Sequence, residues 1–211
     1  MLALIPALAV AAGFEDAMLA FENRNYPAAL SLVEPLAKTG DPAAMTLLGR
    51  ILDEGMHQPS KAFIWYRQAA VKGYAEAQLQ LAELYDAGEG VPQDIETAVL
   101  WYEKAAEKDN EEALIALAQH YTADLNHQKS AVPYYERAAG MGNATAQYQL
   151  GLIYLGDNGI ARDDVKAWLY LSLAADRIPE AAQARDVLEI NLGEGTLSFA
   201  RKALADWEKS H

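Results

Sequence analysis

The 211-residue sequence has no cysteine. Without a thiol there can be no disulfide framework, no cysteine-ligated zinc site and no thiol nucleophile. Basic residues are also few, because 17 Lys and Arg stand against 30 Asp and Glu, for a net charge of −13. Such a chain repels phosphate groups, so nucleic acids and anionic membrane surfaces are unfavourable partners. Hydrophobic residues make up 52% of the sequence, which argues against intrinsic disorder.

The apolar N-terminal stretch, residues 1–13, is shorter than the roughly 20 residues of a membrane-spanning helix. It has the length of the apolar core of a secretory signal peptide, and Ala9-Val10-Ala11 offers the small-x-small pattern of a cleavage site. A signal peptide normally has a Lys or Arg before this apolar core, and none is present here. Residues 1–12 are therefore predicted to be a signal peptide that directs export to the periplasm, or alternatively the apolar first helix of a cytoplasmic protein.

Internal repetition is the most informative feature of the sequence. Four segments superpose without a gap and share alanines at both ends and an aromatic residue in the middle. They are Ala62–Ala70, Ala98–Ala106, Ala131–Ala139 and Ala167–Ala175. Each follows another recurrent segment, which begins at Ala44, Ala77, Ala113 or Ala146. The chain thus contains four repeats of two segments each.

Both kinds of segment have the period of an α-helix. Ala62, Trp65, Tyr66, Ala69 and Ala70 fall on one helical face, and the first segments behave in the same way. Neither helix can bury its face alone, but stacked antiparallel pairs share a continuous core. The second aromatic residue of each pair is predicted to be buried, and the first to be half exposed. These pairs are Trp65-Tyr66, Trp101-Tyr102 and Tyr134-Tyr135.

Residues between the helices predict where each helix begins and ends. Gly40, Gly73 and Gly142 are expected to take the left-handed conformation at helix ends, and Asp109 replaces glycine at the same place. Side chains that suit helix N-caps follow them or lie within the repeats. These are Asp41, Asp94, Asn143 and Asp163. Pro133 is predicted to lie in the first turn of its helix, where proline is tolerated.

This pattern resembles the Sel-one-like repeat family, which is related to the tetratricopeptide repeat. Three motifs carry the resemblance, and in chain order they are Ala-x-x-x-Leu-Gly, Gly88-Glu-Gly90-Val91-Pro92-Gln93-Asp94 and Ala-x-x-Trp-Tyr-x-x-Ala-Ala. It implies an all-α fold, a right-handed α-solenoid of antiparallel helix pairs. The predicted repeats are 41–73, 74–109, 110–142 and 143–178, between a degenerate leading pair, 13–40, and a capping pair, 179–211. The outer face of the capping pair is expected to be polar, with Arg201, Lys202, Asp206 and Glu208.

No motif of a known catalytic or cofactor site is present, so the sequence predicts a non-enzyme without cofactor or metal. Lys38-Thr39-Gly40 matches one β-lactamase signature, but no Ser-x-x-Lys accompanies it. The histidines have no metal-ligand spacing, and solvent or edge positions are expected for them. They are His57, His120, His127 and His211.

In the resembling family, one face of each first helix lines the inside of the superhelix and binds partners. Carried over to this sequence, this face grades from charged to apolar along the chain. It comprises Thr46, Arg50, Asp53, Leu79, Glu83, Asp86, Ile115, Gln119, Thr122, Tyr148, Leu152 and Leu155. Alternatively, the last three pack against the capping pair. A scaffold or adaptor that binds a protein or peptide is predicted. The alternative is a periplasmic sensor or assembly factor for peptidoglycan or exopolysaccharide, with a hydrolase a distant third.

Overall fold

The computed structural model describes residues 4–123, 128–156 and 159–210. This part of the chain contains twelve α-helices, one π-helical turn (Ile51–Gly55) and no strand. The α-helices are α1 Leu4–Glu22, α2 Tyr26–Lys38, α3 Pro42–Arg50, α4 Pro59–Val71, α5 Ala75–Ala87, α6 Ile95–Ala106, α7 Glu111–Ala123, α8 Gln128–Gly140, α9 Ala144–Tyr154, α10 Asp164–Ala174, α11 Pro179–Asn191 and α12 Glu194–Ser210. The predicted all-α solenoid class is confirmed.

The predicted helix caps are present in the structure. Each predicted N-cap side chain accepts a hydrogen bond from the backbone N–H three residues later. The distances are 2.8 Å for Asp41, 3.0 Å for Asp94, 2.8 Å for Asn143 and 3.0 Å for Asp163. Gly40, Gly73 and Gly142 have φ angles of +93°, +85° and +88°. Asp109 takes the same left-handed region with φ +56°. Together these residues mark where α3, α6, α9 and α10 begin and where α2, α4, α6 and α8 end.

The chain divides into two compact units, Met1–Asn110 and Glu111–His211. In unit 1, α1 packs on α2, α3 on α4 and α5 on α6. In unit 2, α7 packs on α8 and α9 on α10, while α11 and α12 both pack on α10. The second aromatic residues Tyr66, Tyr102 and Tyr135 are buried, as predicted, and the alanines around them are almost fully buried. Small residues let the helices approach closely while the tyrosine rings fill the space between them.

Hydrogen bonds from side chains to backbone carbonyl groups, which we call ties, join consecutive helix pairs within each unit. Lys72 Nζ donates a hydrogen bond to the Gly40 carbonyl at 2.8 Å, and Lys108 Nζ donates to the Gly73 carbonyl. In unit 2, Arg177 Nη1 donates to the Gly142 carbonyl at 2.8 Å. Buried amides add two similar ties, Gln78 to the Ala70 carbonyl at 3.1 Å and Gln147 to the Ala139 carbonyl at 3.2 Å. These bonds satisfy carbonyl groups that helix ends leave open.

The position predicted for Pro133 is wrong. Helix α8 begins at Gln128, so Pro133 is its sixth residue and lies inside the helix. Proline has no N–H to bond the carbonyl of Lys129 one turn earlier. The prediction counted from Ala131, whereas the helix starts three residues before that alanine.

Candidate partner-binding surfaces

In unit 1, the predicted partner-binding residues lie on α3, on the π-helical turn and on α5. Thr46 and Leu79 are each only 3% exposed, so the packing of the unit encloses their side chains. The Thr46 hydroxyl donates to the Pro42 carbonyl within its own helix at 2.7 Å. The remaining four, Arg50, Asp53, Glu83 and Asp86, are half-buried or exposed. The accessible part of this surface is therefore charged.

Carboxylates gather at the end of this surface, in what we call the acidic cleft. It has a volume of about 450 Å³ and is lined by Asp53, Glu54, His57, Pro59 and Glu89. Burial raises the pKa of the Asp53 carboxyl, and the neighbouring negative charges of Glu89 and Glu54 raise it further. Arg50 Nε lies 2.7 Å from Glu54 Oε1 and offsets part of this charge. The acidic cleft favours a cationic group.

In unit 2, the predicted residues Ile115, Gln119 and Thr122 lie on α7, Tyr148 and Leu152 on α9, and Leu155 directly after it. Gln119 is exposed and the other five are half-buried. Tyr148 and Leu155 border a cleft of about 750 Å³ that α9 shares with α11, whereas Leu152 is absent from its lining. The two residues therefore face an open space next to the capping pair.

The lining of this apolar cleft combines hydrophobic and polar side chains. The lining residues are Tyr148, Leu155, Arg162, Glu180, Gln183, Ala184, Val187, Leu188 and Asn191. Val187 is 63% exposed, and Ile190 on the same helix is 83% exposed. Arg162 Nε pairs with Asp164 Oδ1 at 2.7 Å. Exposed apolar groups with polar neighbours are typical of a surface that binds a partner.

Sequence reasoning missed the contribution of α11 because it treated this helix as part of a cap. A signal was present: Ala146 of α9 corresponds to Ala181 of α11, 35 residues later. The same shift carries Leu152 to Val187 and Leu155 to Ile190. The predicted inner face thus continues by one more helix in apolar residues. The outer positions Arg201, Lys202, Asp206 and Glu208 are exposed, as predicted, but so is Phe199.

The first aromatic residues of the repeated pairs are half-buried, as predicted, and two have a covered ring face. The Lys104 ammonium lies 3.9 Å from the centre of the Trp101 ring. Tyr134 stacks on Tyr121 with ring centres 5.6 Å apart and an interplanar angle of 10°. One face of each of these two rings is therefore closed to a sugar.

Residues that could be taken for catalytic or metal-binding groups lie at a helix end, on a helix or at the edge of the acidic cleft. Gly40 of Lys38-Thr39-Gly40 ends α2, and Lys38 pairs with Glu34 at 2.7 Å. His57 borders the acidic cleft and His120 lies on α7, whereas His127 and His211 are outside the described residues. Where the structure describes the chain, no group of three or more His, Cys, Asp or Glu side chains is arranged to hold a metal ion. Nor does any helix there have the length and apolar character needed to cross a membrane.

Comparison with known proteins identifies relatives of this arrangement. The model of the Sel1 repeat family matches residues 42–74, 75–110, 112–143 and 144–177. A Sel1 repeat protein from Oxalobacter formigenes is 28% identical, with a TM-score of 0.71 over 80% of this chain and 72% of that one. A protective antigen of uropathogenic Escherichia coli with an SLR fold is also 28% identical, with a TM-score of 0.51 over 86% of this chain and 48% of that one. An immunity protein from Pseudomonas aeruginosa, 17% identical, has the same fold with a TM-score of 0.54 over 94% and 83% of the two chains. No curated protein matches the sequence significantly.

Proposed function

Because the chain belongs to the Sel1 repeat family, whose members generally act as protein-interaction scaffolds, we propose that it is a non-enzymatic adaptor that binds a segment of a partner protein in the apolar cleft of unit 2. The observation that carries the proposal is the exposure of Val187 beside Tyr148 and Leu155. Apolar groups in such a cleft gain stability when a partner's apolar side chain excludes water from them.

The chemistry of the cleft suits a peptide. Its volume of about 750 Å³ accommodates a few side chains, and Arg162, Glu180, Gln183 and Asn191 supply polar groups around the hydrophobic surface. Such polar groups fix the orientation of a bound chain, while apolar contacts supply most of the affinity. A protein partner is favoured over a glycan because one face of each of the Trp101 and Tyr134 rings is already covered, which leaves less aromatic surface for a sugar.

A substitution in the cleft tests this function without disturbing the core. Val187→Lys places a hydrated charge where the partner's apolar group is proposed to dock, and the exposed site lets the chain fold normally. The matched control is Phe199→Lys, which makes the same change at another exposed apolar residue of unit 2. Tagged proteins are used for affinity capture from the native organism, followed by quantitative mass spectrometry. A partner captured by the wild type and the control but lost with Val187→Lys supports the proposal, and identical capture by all three contradicts it.

The proposed location is the periplasm. Its support is the apolar N-terminus with Ala9-Val10-Ala11, which is typical of an exported protein. A periplasmic adaptor would meet partners of the cell envelope.

A further inference from the structure

Helix α4 has a charge character unlike that of the rest of the chain. Residues 55–75 contain Lys61, Arg67 and Lys72 but no acidic residue, although 30 of the 211 residues are Asp or Glu. The segment is therefore locally positive within a protein whose net charge is −13.

These cations share one exposed face of α4 with apolar side chains, and we call it the basic face. Ile64 and Val71 are 55% and 70% exposed. A cleft of about 510 Å³ runs along this face, and the described residues that line it are Phe63, Ile64, Arg67, Gln68, Val71 and Lys72. Lys61 precedes Ile64 by three residues and so lies on the same side of the helix.

Two of the cations are available to a partner. In the residues that the structure describes, Lys61 and Arg67 have no ion pair and their side chains donate no hydrogen bond. Lys72, by contrast, already donates to the Gly40 carbonyl. An apolar ridge with unpaired cations on one helix is complementary to a surface that carries carboxylates.

The same unit supplies such a surface. We propose that the basic face of one copy docks on the acidic cleft of a second copy of this chain. The acidic cleft, about 450 Å³ in volume, is large enough for an arginine side chain and places Asp53, Glu54 and Glu89 around it. A guanidinium group can bond two carboxylate oxygens at once.

Docking also changes the balance of charge and water on both surfaces. A cation in the acidic cleft relieves the repulsion that Glu89 and Glu54 exert on Asp53. Contact removes Ile64 and Val71 from water, which stabilises the pair further. Because each copy carries both surfaces, two copies can form the contact once, head to tail, or twice about a two-fold axis.

Charge reversal on either surface provides the test. One variant, Lys61→Glu/Arg67→Glu, makes the basic face acidic, and the other, Glu54→Lys/Glu89→Lys, makes the acidic cleft basic. All four residues are exposed, so both variants should fold, which circular dichroism verifies. In sedimentation velocity of the full chain, the wild type is expected to show a sedimentation coefficient that rises with concentration, and each variant alone to lose this rise. An equimolar mixture of the two variants should regain it, because every surface then meets its opposite.

The control variant is Lys129→Glu/Lys202→Glu, which changes the net charge equally at exposed positions on α8 and α12. Because it leaves α4 unchanged, this control is expected to associate nearly as strongly as the wild type. If net charge alone governed association, it would lose as much association as Lys61→Glu/Arg67→Glu. The neutral variant Lys61→Gln/Arg67→Gln removes the cations without adding charge and should also lose association. A wild type that sediments as a monomer at every concentration overturns the proposal, and so does association that the reversals on α4 leave unaltered.

Discussion

At the scale of single residues, the tyrosines at the centre of the repeats support the packing. Tyr102 is 3% exposed between α5 and α6, and its hydroxyl lies 3.3 Å from Asp86 Oδ2. Tyr102→Ala is expected to reduce the free energy of unfolding by about 3–5 kcal/mol, because it leaves a cavity that the helices cannot close. Denaturant titration measures the change. The control Leu100→Ala, at an exposed site on the same helix, should cost less than about 1 kcal/mol. An equally small loss for Tyr102→Ala would contradict the proposed repeat register.

Tyr66 adds a dependence on alkaline pH. Burial raises the pKa of its phenol, and the charges of Asp53 and Glu54 raise it further. In the unfolded chain a tyrosine ionises near pH 10. The stabilisation due to the neutral phenol is thus complete below about pH 10 and is lost as the pH rises towards the folded-state pKa, because only the unfolded chain then releases the proton.

The substitution Tyr66→Phe should weaken this pH dependence. Near pH 7 it removes only the 3.3 Å hydrogen bond to Gln80, at a cost of about 1 kcal/mol. Above pH 10, the variant should lose stability less steeply than the wild type, by up to about 1.4 kcal/mol for each pH unit. Urea titrations at several pH values measure the slopes. Parallel curves for the two proteins would show that Tyr66 is not linked to unfolding.

At the scale of helices, glycine marks the closest approach between two members of a pair. A Cβ atom on Gly49 of α3 would lie 2.5 Å from Cε1 of Tyr66 on α4. Gly49→Ala is therefore expected to cost about 1–3 kcal/mol, because the buried ring must move. The control Gly13→Ala in α1 meets no atom closer than 3.8 Å and should be neutral or stabilising by up to about 1 kcal/mol. Thermal unfolding separates the two, and a stabilised Gly49→Ala variant would show that α3 and α4 can part easily.

Individual helices also show what a sequence can predict. Asp94 and Asp163 were identified as caps because a cap depends on chemistry within three residues of the chain. Tyr66, Tyr102 and Tyr135 were identified as core because their spacing from the flanking alanines fixes the helical face. The position of Pro133 could not be predicted in this way, since the first turn of α8 has no apolar period that marks its start.

The binding surface was harder to predict than the core. A register places Thr46 and Leu79 on the inner face, but their exposure depends on which remote segments pack beside them, and both are enclosed. The extent of the apolar surface was underestimated for a different reason, which lies in the sequence itself. Val187 and Ile190 lie in α11, where the repeat pattern is too degenerate for a simple alignment of motifs.

At the scale of the whole molecule, the first prediction to test is export. If Ala9-Val10-Ala11 is a cleavage site, the mature protein begins near Ala12 and is found in the periplasm. Cell fractionation of the full chain, with intact-mass measurement of the purified protein, gives both its location and its first residue. Cytosolic protein that retains Met1 would overturn this prediction and favour the apolar first helix.

The ties between helix pairs have a consequence for chemical labelling. The amines of Lys72 and Lys108 are engaged by glycine carbonyl groups of the preceding pair, whereas the amine of Lys61 faces solvent. Both side chains are exposed, so a reagent reaches these amines once the side chain rotates away from the carbonyl oxygen. Lys72 and Lys108 are therefore expected to be acylated more slowly than Lys61. The ratio of the rates, followed by peptide mass spectrometry, reports how often these two hydrogen bonds between neighbouring repeats of unit 1 are broken.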